Sequence, residues 1–433
     1  MKRKEKPQGV PTVARVLTDE RIVELVYTEE AGRTRFAVWS GSTVEYVENL
    51  TTPEGELLIP IRASNNLIRH HAVLLPECAE SYGSVNELLQ EITEYLHRYV
   101  TLSDWFARVA RYYVIFTWVH DFSNEAVYLR FVADWGSGKT RASSVLGGIC
   151  YRGFFASGAS TTSPLFHGLD QFRGTLVLDE ADFRVSDAKA DIAKILNNGT
   201  VKGFPVLRTM MNSNREFDPR AFHVFGPKIV AMRGAYEDEA LESRFITERL
   251  DDVAMRPEIP ISLPPEQRVE ALRLRNKLLQ YRFDFLRKLA VQPQFTHADL
   301  SPRMNQMLLP LLSVVEDENE RALLVESMRA MEHSRTGALS STLEADIVNT
   351  LLEVAAEEGI EKLSVGALTT RFIERFGKEY ERSITNRYMG SLLRNRFGIL
   401  TYKSHGIYLV QLSKARLNAL CDRFGIARDV NRH

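Results

Sequence analysis

Polar and apolar residues alternate from about Thr12 to Ile59, as in Arg21-Ile22-Val23-Glu24-Leu25-Val26-Tyr27 and Arg35-Phe36-Ala37-Val38-Trp39, with turn chemistry at Ala31-Gly32 and Ser40-Gly41-Ser42. This two-residue period predicts a small β-rich module over residues 1–84. After Pro76 the period lengthens. Val85 to Tyr99 and Ser103 to Val119 have helical spacing with acidic starts, and they lead into a strand over Ala126 to Val132.

Between Tyr128 and Leu250, apolar stretches of strand length (Tyr128 to Val132, Gly153 to Phe155, Thr175 to Leu178, Lys228 to Ala231) alternate with helical or loop segments. That pattern predicts an α/β domain over 85–263, a parallel sheet with helices packed on it. Pro265 to Leu289 and Met304 to Val315 read as helices of a small helical domain, 264–335, and polar Glu332 to Ser341 reads as a linker. The last segment, 342–433, has helices at Leu343 to Glu357, Val365 to Phe376 and Ile384 to Phe397. Two short strands, Leu400 to Lys403 and Ile407 to Gln411, then flank Ser404-His405-Gly406. Three helices followed by a hairpin form a winged-helix pattern.

Composition narrows the class without changing these elements. At 433 residues, 44% hydrophobic and 26% charged, the chain reads as a soluble globular protein with room for several domains. A net charge of -1 gives no global pull toward nucleic acid or anionic membrane, so any such binding must come from a local patch. Cys78, Cys150 and Cys421 lie far apart with no metal-ligand spacing, which fits a reducing compartment and no zinc. The basic start runs into Pro7-Gln8-Gly9 with no apolar stretch behind it. The longest aromatic-apolar run, Tyr112 to Val119, is far shorter than the roughly 20 residues that span a bilayer. A cytoplasmic protein without a membrane partner is expected.

Two motifs carry chemistry. Ala133-Asp134-Trp135-Gly136-Ser137-Gly138-Lys139-Thr140 follows a strand and opens a helix, the context a phosphate loop requires. Gly136 and Gly138 let backbone N–H groups turn inward, with Trp135 and Ser137 between and beside them. Lys139 reaches the outer phosphates of ATP, and Thr140 can ligate Mg2+. Ala133 stands where the general pattern has its first glycine. About forty residues on, the apolar strand Gly174-Thr175-Leu176-Val177-Leu178 ends in Asp179-Glu180-Ala181-Asp182. The spacing suits a strand beside the phosphate loop, with Asp179 holding Mg2+ and Glu180 orienting and deprotonating the attacking water.

With Lys228-Ile229-Val230-Ala231-Met232 and Glu239-Ala240-Leu241-Glu242-Ser243-Arg244-Phe245, the chain resembles the AAA+ ATPases over roughly Val85 to Val315. The resemblance implies an AAA+ P-loop parallel sheet with a helical lid, and a polar residue ending the fourth strand to sense the γ-phosphate. Ala231-Met232-Arg233-Gly234 offers only Arg233 for that task. It also implies that Arg244 completes a neighbouring subunit's site, and that Arg303, in Ser301-Pro302-Arg303, is the lid arginine that meets the γ-phosphate. A local salt bridge of Arg244 with Glu242 or Glu248, and a plain helix-start arginine at 303, are the competing readings.

Phe204 to Met210 and Phe217 to Phe225, around Asn212-Ser213-Asn214-Arg215, predict a β-hairpin inserted before the fourth strand. This placement resembles the pre-sensor-1 hairpin branch, which includes superfamily 3 viral helicases and mobile-element replication ATPases. There Lys202, Arg208, Arg215 and Arg220 could meet the phosphates of a threaded strand; an ordinary surface hairpin is the alternative. In the last segment Arg387, Arg394 and Arg396, with Lys403 in the wing, suit DNA phosphate and groove contacts, and Arg371, Arg375, Lys378 and Arg382 flank them. The resemblance thus implies a ring-forming, hexameric DNA helicase or translocase using ATP and Mg2+. A DNA-bound ATP switch or loader, and a signalling or defence NTPase with a protein-binding winged helix, are the other readings.

Overall fold

The computed structural model describes residues 9–180, 186–211, 215–236, 238–254, 256–340, 342–360, 363–377 and 384–427, with backbone alone at 186–190 and 336–340. Two compact units, Met1–Val325 and Glu326–His433, divide within the helix Glu318–Ser340. That helix runs through the polar stretch predicted as a linker. Its exposed polar positions are those of a solvated helix, and polarity alone does not separate the two.

The first unit is built on a five-stranded parallel sheet, an α/β architecture compatible with a P-loop fold. Its strands are β1 (Tyr128–Val132), β2 (Phe154–Ser157), β3 (Leu176–Asp179), β4 (Lys228–Met232) and β5 (Phe245–Arg249), in the spatial order β5-β1-β4-β3-β2. Every residue of β1 and β4 is buried, as expected where helices cover both faces of a parallel sheet. Arg130, mid-strand in β1, is tolerated because Glu242 pairs with it and Thr247 accepts from its Nε at 3.1 Å. The strand β5 was not anticipated: only Phe245 and Ile246 announce it, and Glu248 interrupts the apolar run. Glu248 is accommodated across the fold, accepting from the Ser103 amide at 2.6 Å and hydroxyl at 2.8 Å.

The helices Val85–Tyr99 and Asp104–Val119 begin where local chemistry stops the preceding chain. Ser84 and Glu87 form a reciprocal capping box, and Ser103 caps the second helix. That second helix is apolar almost all round and almost fully buried, which explains its aromatic-apolar run without a membrane. Among the described residues no helix is long and apolar enough to cross a membrane.

The N-terminal segment folds as the four-strand antiparallel sheet Ala14–Val16, Ile22–Thr28, Arg33–Trp39 and Val44–Val47, with a separate three-strand sheet beside it in sequence. Its core is continuous with that of the α/β region. Its Val23, Leu25, Phe36 and Val38 share one apolar core with Tyr128, Phe154 and Phe172 of the α/β region. Glu24, almost fully buried, accepts from Arg152 at 2.5 Å, Arg282 at 2.6 Å and Tyr151 at 3.0 Å. A buried carboxylate demands such partners, and they lie 127 to 258 residues away.

The second unit has helices Leu343–Glu358, Val365–Phe376 and Asn386–Asn395, a hairpin of Leu400–Ser404 and Ile407–Gln411, and a further helix, Lys414–Phe424. Ile347, Leu351, Leu368, Phe372, Leu393 and Leu420 are among its core.

Candidate functional site

All five strands run the same way, so their carboxyl ends share one edge, and there the two motifs meet the solvent. Beyond β1, Gly136 (φ 78°) and Gly138 (φ 82°) adopt the left-handed conformation that glycine takes without steric cost, and the helix Lys139–Gly147 starts at once. The loop therefore lies at a helix N-terminus, outside the carboxyl end of β1, where the sheet order switches direction. Ala133 is buried and its amide meets the Met232 carbonyl at 3.4 Å, so a methyl group there is packed rather than obstructive. The Lys139 ammonium lies across the loop, donating to the Ala133 carbonyl at 2.6 Å and to that of Asp134. Thr140 is exposed in the first helical turn.

Asp179 ends β3 and is half-buried; Glu180 follows it, exposed, with φ 53°. A non-glycine residue in that region stores backbone strain, which is most common at functional positions. The turn beside it is fitted closely: a Cβ at Gly158 would stand 2.4 Å from the Glu180 carbonyl oxygen. One expectation is corrected here. The strand β4 lies between β1 and β3, so the acidic strand is not beside the loop strand but one removed. Asp179, Glu180 and Thr140 still share the carboxyl edge, and their hard oxygens suit Mg2+. Ala181 and Asp182 lie outside the described residues.

Two contacts at this edge had no signal in the sequence. Arg233, just beyond β4, stacks over the Trp135 ring at 3.5 Å. Asp251, in the single turn Leu250–Asp252 after β5, accepts from the Asp134 amide at 2.8 Å and the Ser137 hydroxyl at 2.7 Å. A cavity of about 600 Å³ opens beside the loop, lined by Val100, Thr101, Trp135, Arg141, Val253 and Ile259 among others. Its volume is of small-ligand size. Its walls come from segments over a hundred residues apart, so no local motif could reveal it.

Arg244 immediately precedes β5, whose Phe245 pairs with Tyr128 at the start of β1. It therefore stands at the amino edge, the opposite end from its own phosphate loop. It pairs with neither Glu242, which holds Arg130, nor Glu248, which is bound to Ser103. Its Nη1 donates to the Thr200 hydroxyl, and its Nε is buried without a hydrogen-bond partner. Burial first, then the charge of Arg303, lowers its pKa. Arg303 thus belongs with the amino-edge group; its Nη1 donates to Gln306 at 3.0 Å.

The inserted hairpin is present, Val206–Met211 paired with Phe217–Phe222. Two of its basic residues meet acidic partners on neighbouring elements. Arg208 pairs with Asp191 at 2.6 Å and stacks on Phe166, and Arg220 lies 3.6 Å from Asp170. Lys202 donates to the Asp121 carbonyl at 2.6 Å, and burial lowers its pKa. The alternation of the strands turns Leu207, Met211 and Phe217 to solvent instead. Arg215 is exposed beside the tip, with φ 65°; Asn212, Ser213 and Asn214 lie outside the described residues.

In the second unit the helix Asn386–Asn395 buries Met389, Leu392 and Leu393 and exposes Arg387, Tyr388, Arg394 and Asn395 on one face. Arg394 also donates to the Thr401 hydroxyl at 2.8 Å. Arg396 is exposed, 3.9 Å from Glu344, and Lys403 lies 5.9 Å from the Tyr408 ring centre. Of the flanking residues, Arg371 is bidentate to Glu357 and Arg375 pairs with Glu353. Lys378 and Arg382 lie outside the described residues.

No family model matches the chain, and no curated protein matches it. Among solved structures it is similar to the apo A form of the NrS-1 C-terminal region, at 13% identity over 90% of this chain and 97% of that one, with TM-score 0.36. It is also similar to the Aeropyrum pernix ORC2 protein in ADPNP-ADP complexes, at 12% identity over 80% and 95%, with TM-score 0.21. Likenesses this loose leave the function to the site itself.

Proposed function

We propose that the chain is an AAA+ P-loop ATPase that works on DNA as a homo-oligomer. The observation that carries this reading is the shared carboxyl edge of Lys139, Thr140, Asp179 and Glu180, with Arg244 at the other edge. An arginine so placed cannot serve its own loop. Its half-buried guanidinium donates to the Thr200 hydroxyl rather than to a carboxylate, so its charge is not neutralised by an ion pair. A cyclic ring is the simplest closed arrangement for such head-to-tail contacts, and the hexamer is the size the resemblance implies.

The loop amides and Lys139 would hold the phosphates, Lys139 exchanging its two carbonyls for phosphate oxygens. Glu180 would take a proton from water as that oxygen attacks the γ-phosphorus and the bond to the β-phosphate oxygen breaks, leaving ADP and phosphate. Thr140 and Asp179 would hold Mg2+, which offsets phosphate charge when bound. Arg244 would stabilise the transferring group across the interface. The segment 342–433 is read as a winged helix that presents Arg387, Arg394 and Lys403 to DNA. The domain limits 1–84, 85–263, 264–335 and 342–433 belong to this reading, with residues 1–84 docked on the ATPase core.

The apolar outer face of the hairpin favours a DNA-bound ATP switch or loader over a strand-threading helicase, because Leu207, Met211 and Phe217 offer no charge to phosphates. ATP turnover with and without single- and double-stranded DNA, with particle size by electron microscopy, separates the two. Strand displacement lost on Arg215→Ala supports the helicase; DNA binding without displacement supports the switch. Retained ATP binding in Lys139→Ala would sink the whole reading.

A further inference from the structure

Asp251 stands where two chain segments emerge side by side. Because β5 pairs in register with β1, Arg249 opposite Val132, the turn that follows β5 arrives next to the phosphate loop. There its carboxylate closes a bracket: Oδ2 accepts from the Asp134 amide at 2.8 Å and Oδ1 from the Ser137 hydroxyl at 2.7 Å. The Ser137 bond first, then the Asp134 bond, hold its carboxyl below the usual range, and the charges of Lys139 and Arg249 add to this. Between the two bracketed residues lie Trp135 and Gly136, the outer bend of the loop.

From within, that bend is held by polar contacts, Lys139 to the Ala133 and Asp134 carbonyls and the Ser137 hydroxyl to the Asp134 carbonyl at 3.2 Å. Asp134, Trp135, Gly136 and Gly138 are exposed, and a Cβ built at either glycine would meet no atom within 4 Å. A loop of this kind has a high conformational entropy to lose when it closes on phosphates. From outside, Arg233 on the Trp135 ring and Asp251 across its base add further ties. A carboxylate here also repels the nucleotide, but between exposed charges that repulsion is screened by water and salt. Ordering the loop in advance is the larger effect.

We infer that Asp251 is a positioning residue for the phosphate loop, bracing Asp134 and Ser137 so that the inward-facing amides are arranged before nucleotide arrives. It rests on the proposed ATP site, and it assigns to the edge strand β5 a contact at each end: Arg244 before it and Asp251 after it.

The test compares ATPase kinetics of wild type, Asp251→Ala, Asp251→Asn, Ser137→Ala and the Asp251→Ala/Ser137→Ala double variant. A brace predicts that Asp251→Ala raises KM for ATP about tenfold with a smaller change in kcat, as for loss of uniform binding. The isosteric Asp251→Asn keeps an acceptor for Ser137 but turns its Nδ2 donor toward the Asp134 amide, so it restores only part of the affinity. Ser137→Ala raises KM as well, and the double variant is no worse than the poorer single one, because the Ser137–Asp251 bond is common to both. An unchanged or lower KM in Asp251→Ala, or additive effects in the double variant, overturns the brace. Since Asp251 and Ser137 are mutated on different segments, a folding defect in one leaves the other to decide. Lys139→Ala measured alongside separates the two levels: if it still binds ATP the site itself is wrong, whereas if it fails and Asp251→Ala is normal only the brace is wrong.

Discussion

Lys139 and Lys228 both donate to backbone carbonyls, yet they stand at opposite edges of one sheet. Lys139 begins a helix at the carboxyl edge, partly open to solvent, and its two acceptors belong to the loop it guards. Lys228 begins β4 at the amino edge, fully buried, donating to Val224 at 2.8 Å and Gly226 at 3.0 Å beside the Tyr128 ring. With no carboxylate to compensate, burial pushes its pKa down to about 7. The same contrast holds for the other charges. The carboxyl edge exposes Glu180 and Asp251, whereas the amino edge buries Arg152 and half-buries Arg244. An edge whose charges are free to change partners can bind and turn over a ligand; an edge whose charges are locked holds the sheet together.

Arg244 is the exception that tests this division, and its removal carries the largest expected effect. If it serves a neighbour, Arg244→Ala lowers kcat by roughly 10³-fold or more. Doping mutant subunits into wild type then lowers activity by more than their share. If activity falls only in proportion, the amino edge is structural throughout. At the other edge, Glu180→Gln is expected to cost about 10²- to 10⁴-fold in turnover while ATP binding persists. Normal hydrolysis by that variant removes the carboxyl edge from the chemistry.

Glu24→Ala should do the reverse, leaving Arg152 and Arg282 buried without their carboxylate. A loss of about 3–5 kcal/mol in folding stability is expected, seen as a lower denaturation midpoint, with KM for ATP little changed in the protein that stays folded. A stable variant would show that the N-terminal sheet is held by its apolar contacts alone.

The smallest effect is on pH dependence. Lys228 binds a proton in the unfolded chain up to its ordinary pKa near 10.4 but in the folded chain only up to about 7, so folded protein gains stability as pH rises between them. Relative to Lys228→Met, wild type should gain about 1 kcal/mol per pH unit from pH 7 to 10 in denaturant titrations. A flat difference would mean that Lys228 keeps its charge when buried.

How much was legible depended on how far apart the partners were. The phosphate loop, the acidic pair and the hairpin are local patterns, and each lies where its residues predict. The direction of the hairpin arginines was not legible, because Asp191 and Asp170, which capture them, belong to other elements. Nor was β5, whose Glu248 looks unfit for a strand until Ser103 is seen to hold it.

The sequence alone determined which residues stand at the carboxyl edge: glycines at 136 and 138, a lysine, a threonine and an Asp-Glu pair at a strand end are set by spacing along the chain. Only the tertiary structure decided which partners those charges meet. The order of strands put β4 between the two motifs, brought Asp251 onto the loop and carried Arg244 to the far edge. The physical reason is that a charge's role depends on its solvation and its partners, and here the partners are fixed by strand register and packing over a hundred residues or more.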